Sequence, residues 1–264
     1  MDLLDSRRLT GPNLWLPRAG AILELRLEAG EEGLVELWRH EVVVFLAALG
    51  WQNEEIVLRP YRGGAQCAFT APFDALYAAT EVAEAAWARA TATFQGVEPL
   101  NFEAEVERLQ QEIELEIHPA LRALRAEAER RGVSFFADDE WVSVGSGTGS
   151  LAWPADALPD FATIDWSEVH DIPLALVTGT NGKTTTVRLL AAIAEAAGKT
   201  AGLTSTEGIS VGGEIAALGD FSGPQGARAL LRDHRVEIAI LEVARGGLLR
   251  RGLAVERADV AVVT

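Results

Sequence analysis

The chain carries a single cysteine, Cys67, in 264 residues. No internal disulfide can form, which fits a reducing cytoplasm. A lone thiol can be a nucleophile, but Ala65 and Ala68 beside it mark a small core filler. Long hydrophobic runs are also missing. Val42 to Leu49 is too short to span a membrane and continues Leu34, Leu37 and Trp38 at helical spacing. The opening Met1-Asp2-Leu3-Leu4-Asp5 is acidic where a secretory signal needs positive charge. Basic residues are few: 23 Lys and Arg stand against 39 Asp and Glu, a net charge of −16. That balance argues against broad binding of nucleic acid or an anionic membrane, though it leaves room for a local basic pocket. His118, His170 and His234 stand without paired ligands, so no zinc site is expected.

What is present is core-forming material. Apolar residues make up 48% of the chain, enough for one large or two modest packed domains. Residues 1–132 are rich in Glu, Ala and Trp and read as a smaller α+β domain. Ala21 to Leu27 alternates as a half-buried strand. Gly33 to Leu49 and Asp74 to Thr93 have helical periodicity. Ile56 to Leu58 and Gln66 to Thr70 read as short strands around a turn at Gly63-Gly64. Glu103 to Arg130 reads as helix divided at Pro119, with a stripe from Val106 through Leu109, Ile113, Ile117 and Leu121 to Leu124. Its glutamates, Glu103, Glu105, Glu107, Glu112, Glu114 and Glu116, read as a solvated face. Residues 133–171, with Gly145-Ser146-Gly147-Thr148-Gly149-Ser150, read as a linker. From 172 to 264, β-branched runs alternate with helices. The fold class expected there is α/β, a P-loop-containing, mainly parallel sheet with ligands at the strands' C-terminal ends.

One heptapeptide narrows function. Gly179-Thr180-Asn181-Gly182-Lys183-Thr184-Thr185 follows the strand Leu174–Val177 and precedes a helix over Thr186 to Ala197. Strand, Gly-rich turn, Lys-Thr, helix is the layout of a phosphate-binding loop. Gly179 and Gly182 admit backbone angles closed to other residues. The N–H groups from Thr180 to Thr185 then face phosphate oxygens at a helix N-terminus. Lys183 reaches the terminal phosphates and Thr184 can ligate Mg²⁺. Glu242, at the tip of the buried run Ile238-Ala239-Ile240-Leu241, is placed to share that metal. Arg245, beside Gly246 and Gly247, is equally readable as a phosphate contact or a surface residue.

The loop departs from G-x-x-x-x-G-K-[ST]: Val177 stands where the first Gly belongs. The shorter G-T-N-G-K-T-T resembles the Mur ligase superfamily. Residues 177–193, 204–214, 219–228, 241–253 and 259–264 are similar, in order, to the Mur-like part of the cyanophycin synthetases. Arg8-Leu9-Thr10-Gly11-Pro12-Asn13-Leu14-Trp15 and the stretches Arg131–Val133 and Val142–Gly147 resemble the N-terminal domain of that family. Its ATP-grasp domain is absent between them.

The resemblance implies an incomplete Mur ligase central domain and an ATP-dependent, ADP-forming carboxylate–amine ligase working through an acyl phosphate. Lys183 would be catalytic. Gly179 to Thr185 and Arg245 would bind ATP, and Thr184 and Glu242 would hold Mg²⁺. The implied partners are a small-molecule or peptide carboxylate and an amino-acid amine. A homo-oligomer is compatible with this reading. In the family an Asn, an Asp-His pair and a further domain follow the strand matching Asp259 to Val263, so the chain reads as the N-terminal portion of a longer protein. The alternative is a nucleotide- or polymer-binding module without its own catalysis. A P-loop GTPase or kinase fits less well, because the loop is short and no Asn-Lys-x-Asp is present.

Overall fold

The structure, a computed structural model, describes residues 1–264, the side chain of Phe161 excepted. The chain forms two compact units, Met1–Ile117 and His118–Thr264. Among the described residues no helix is long and apolar enough to cross a membrane.

The first unit contains β1 (Asp2–Leu9), β2 (Gly20–Arg26), α1 (Gly33–Ala48), β3 (Ile56–Tyr61), β4 (Gly64–Thr70), α2 (Leu76–Gln95) and α3 (Phe102–Glu116). Its sheet has the order β1-β2-β4-β3, with every pairing antiparallel. Alternation along β2 and β4 turns Ala21, Leu23, Leu25, Cys67 and Phe69 into one core with Trp38, Phe45, Val82 and Ala86. The Ala-rich α2 stripe lets Trp38 come close enough to donate its indole N–H to the Ala83 carbonyl at 3.0 Å.

The second unit begins with α4 (Pro119–Arg131) and a three-stranded antiparallel sheet, β5 (Phe135–Ala137), β6 (Trp141–Val144) and β7 (Leu151–Pro154). It continues with β8 (Leu174–Thr178), α5 (Lys183–Ala196), β9 (Ala201–Thr204), β10 (Gly208–Val211), β11 (Glu214–Leu218), α6 (Pro224–Leu231), β12 (Ile238–Glu242), α7 (Arg245–Arg251) and β13 (Val260–Val263). These later strands form one sheet in the order β11-β10-β9-β12-β8-β13. The pairings β9/β12, β12/β8 and β8/β13 are parallel, whereas β10 runs antiparallel to β9 and β11. One face packs Val177, Ala201 and Ile240 under Val187, Ala191 and Ala194 of α5. The other packs Leu174, Ala239 and Leu241 against Ala227, Leu230 and Leu231 of α6. Burial on both faces is why Ile238 to Leu241 is an unbroken apolar run.

Two expectations about organisation require correction. The units divide at Ile117/His118 and not near 132. The stripe that looked continuous serves two cores: Leu109 and Ile113 belong to the first, while Leu124 and Ala128 pack on Val142 and Val144. Residues 133–171 are not a free linker either. The amides of the Gly-rich stretch are engaged, with Gly145 N–H on the Ser134 carbonyl at 2.8 Å, Ser146 N–H on His170 at 3.0 Å and Thr148 N–H on Val236 at 2.9 Å. Glycine here permits a tight path through the unit, which composition cannot distinguish from flexibility.

Candidate functional site

The site is built where β8 and β12 end side by side. Both strands alternate their side chains between the two faces. Ile238 and Ile240 of β12 lie toward α5, and Ala239 and Leu241 toward α6. Glu242, the next residue in that alternation, therefore falls on the α5 side. Parallel register sets it opposite Val177 of β8. From Thr178 the chain turns through the loop into α5, so Thr184 in the first helical turn arrives beside Glu242. The Thr184 hydroxyl donates to Glu242 Oε2 at 2.8 Å.

Loop geometry explains its glycines. Gly179 has φ +141°, and a Cβ there would stand 2.1 Å from the Thr264 carbonyl oxygen. Gly182 has φ +81° with its nearest would-be neighbour at 3.8 Å, so it is required by backbone conformation alone. Gly182 is the N-cap of α5, which starts at Lys183 and not at Thr186 as periodicity suggested. Lys183 folds back over the loop, and its ammonium donates to the Gly179 carbonyl at 3.0 Å. Thr180, Asn181 and Thr185 are exposed around it. The N–H groups of the first helical turn have no partner within the helix, and the dipole favours an anion there.

Glu242 is the unusual group. Its side chain belongs to a residue only 2% exposed, and its Oε1 has no hydrogen-bond partner among the described residues. A buried carboxylate oxygen left unpaired is costly. A hard divalent cation would satisfy it, and Mg²⁺ takes one or two protein oxygens, filling its remaining positions with water and phosphate. Thr184 and Glu242 supply two such oxygens, so the residues present fit the ion. Among the described residues no group of three or more His, Cys, Asp or Glu converges, which leaves this pair as the basis for a metal reading. Cys67 lies buried in the first unit, whereas the loop belongs to the second.

Arg245 opens α7 and is exposed. No hydrogen bond joins it to the glycine-rich loop among the described residues. Its backbone is nonetheless held at the site, because the Ala244 N–H donates to the Ser222 carbonyl at 3.1 Å. Ser222 itself is fixed by Asp220, whose Oδ1 accepts from the Ser222 hydroxyl at 2.6 Å and amide at 3.1 Å. Those two bonds hold the Asp220 carboxyl below the usual aspartate range, the hydroxyl contributing most. Sequence reasoning did not assign Asp220, Ser222 or Thr178 to this end of the sheet. The signal available was the Asp-x-Ser-Gly-Pro spelling, an Asx-type turn leading into a helix.

Strand, glycine turn, Lys-Thr helix start and buried strand-tip Glu define the class of protein met here. Residues 177–264 match the family model of the Mur ligase middle domain. Over 92 residues the chain is 58% identical to the cyanophycin synthetase of Geminocystis herdmanii. It is 56% identical over the same length to that of a Synechocystis species, and 54% to that of Trichormus variabilis. Each match takes in 35% of this chain and 10% of the relative. Over that stretch the chain is Mur-ligase-like. More particularly, it is cyanophycin synthetase-like, in agreement with the resemblance read from its motifs.

Proposed function

We propose that the second unit is the ATP end of a carboxylate–amine ligase, ADP-forming and proceeding through an acyl phosphate. The observation that carries the reading is the buried, half-unpartnered Glu242 carboxylate facing Thr184 at the mouth of a Gly-rich helix start. In this reading Gly179 to Thr185 cradle the phosphates with backbone N–H groups. Lys183 leaves the Gly179 carbonyl and binds the terminal phosphate, stabilising charge on the transferring phosphoryl group. Thr184 and Glu242 would hold Mg²⁺, which supplies charge neutralisation on the phosphate oxygens. Arg245 contacts a phosphate or the substrate carboxylate. An oxygen of a small-molecule or peptide carboxylate attacks the γ-phosphorus and ADP leaves. An amino-acid amine then attacks the acyl carbon, the amide forms and inorganic phosphate departs with the carbonyl–oxygen bond broken.

The test is calorimetric titration of the chain with ATP in the presence and absence of Mg²⁺. Wild-type protein is expected to bind, and Lys183→Ala to weaken binding about tenfold or more through loss of a charged hydrogen bond. Equal affinity in wild type and Lys183→Ala would sink the assignment. Binding of a polyamino acid with no nucleotide binding would favour a module without catalysis.

A further inference from the structure

Val243 follows Glu242 directly, and β8 holds both of its backbone polar groups. Its N–H donates to the Val177 carbonyl at 2.8 Å. Its carbonyl accepts the Thr178 hydroxyl at 2.9 Å. The first of these bonds is ladder-like and any residue at 177 could make it. The second requires a hydroxyl at 178, at the last position of β8. Beyond this point the chains part: β8 turns into the phosphate loop at Gly179, and β12 runs on to Ala244 at the start of α7. The Thr178 hydroxyl is thus a side-chain bond between the strand that enters the loop and the strand that carries Glu242, made where the ladder stops.

We propose that Thr178 is a positioning residue: by pinning the Val243 carbonyl it holds the Glu242 carboxylate toward Thr184. The inference rests on the metal role given above to Thr184 and Glu242. Without the hydroxyl, the Val243–Ala244 peptide keeps only the Ala244 N–H bond to the Ser222 carbonyl at 3.1 Å, and the strand that enters the loop no longer grips it. Glu242, one residue upstream, keeps its ladder anchor to β8 through the Val243 N–H but is held less tightly from its C-terminal side, which loosens the orientation that brings Oε2 to 2.8 Å from the Thr184 hydroxyl. Small displacements of such a group are costly to function. Thr178 touches neither phosphate nor metal in this arrangement and acts only through Glu242.

The experiment measures how much Mg²⁺ strengthens ATP binding, as the ratio of affinities with and without the ion, by calorimetry on the whole chain. Thr178→Val keeps the shape and removes the donor. It is expected to lower the Mg²⁺ enhancement about fivefold, the worth of one hydrogen bond, with metal-free affinity unchanged. Thr178→Ser, which restores the hydroxyl, is expected to recover the wild-type ratio. In a Glu242→Gln background, Thr178→Val is expected to change nothing further, because the group it positions is gone. An unchanged ratio in Thr178→Val overturns the proposal, as does equal weakening with and without Mg²⁺, or an additive loss on Glu242→Gln. If Thr178→Val does not fold by circular dichroism, Thr178→Ala against Thr178→Ser makes the same comparison. A wild-type protein showing no Mg²⁺ enhancement overturns the metal reading and this inference together. Enhancement lost in Glu242→Gln but kept in Thr178→Val overturns this inference alone.

Discussion

At the scale of single residues, burial decides which polar groups are functional candidates and which are inert. Glu242 and Cys67 are both buried, with opposite consequences. Glu242 sits at a strand tip beside Thr184, with an unpaired oxygen that a cation can use. Cys67 is sealed in an apolar core. Burial, aided by the negative charge of Glu36, pushes its thiol up to about 12. A thiol so shifted is almost wholly protonated at pH 8 and poorly nucleophilic. Iodoacetamide at pH 8 is therefore expected to leave Cys67 unmodified until denaturant is added. Rapid labelling of the native chain, read by mass spectrometry, would contradict this packing. Ala65 and Ala68 nearby already pointed to a filler, because small apolar side chains are what a tightly packed core position takes.

At the scale of elements, helix ends carry information that periodicity does not. The α3 glutamates were read as a solvated face, yet Glu116 has a specific task. Its carboxylate accepts the Tyr77 N–H at 2.9 Å and the Ala78 N–H at 2.6 Å, capping α2 from a different helix. The α2 N-cap, Ala75, has no side chain able to do this. Glu116→Ala is expected to cost about 1 kcal/mol and to speed amide exchange first at Tyr77 and Ala78. Unchanged protection at those amides would mean the helix start is satisfied otherwise. The missed elements have similar causes. β1 reads as Asp-Leu-Leu-Asp-Ser-Arg-Arg-Leu, with no alternation, and owes its strand form to pairing with β2. α7 is a single short helix with Gly246 and Gly247 in its first turn, with too few residues for a period to show. The two central parallel strands were legible because both faces demand apolar side chains.

At the scale of the whole molecule, long-range polar bonds incorporate the segment once read as a linker into the second unit. Arg232, just past α6, pairs with Asp138 at 2.6 Å and donates to Ser143 Oγ at 3.2 Å and the Trp141 carbonyl at 3.1 Å. Burial pushes the Asp138 carboxyl up, but the Arg232 hydrogen bond, with the Trp141 amide, the guanidinium charge and the Glu140 amide, outweighs it. The net result holds the carboxyl below the usual aspartate range. A carboxyl depressed in the native state stabilises the fold above its unfolded value of ~3.9. That contribution is lost as the pH falls through the lower native value. Acid titration followed by tryptophan fluorescence is therefore expected to show Asp138→Asn less stable than wild type near neutrality, with the difference narrowing in strong acid. A difference that persists undiminished at low pH would place the effect in packing and not in charge.

By itself the sequence determined the glycine-rich loop, the helix it opens and the buried strands around it. These are local matters: glycine angles, a Lys-Thr pair at a helix start, and apolar runs whose period reports burial. It also determined the likeness to Mur-type ligases, since that likeness resides in consecutive residues. The sequence already suggested that Glu242 and Thr184 meet, but the geometry of the meeting came from tertiary structure, because strand parity and parallel register had to combine. Tertiary structure alone decided that Thr178 reaches Val243, 65 residues away along the chain. And it decided that a Gly-rich stretch is packed structure and that one helical stripe divides between two cores. Each of these depends on which distant residue supplies a hydrogen bond or an apolar surface, and composition and spacing do not encode that choice locally.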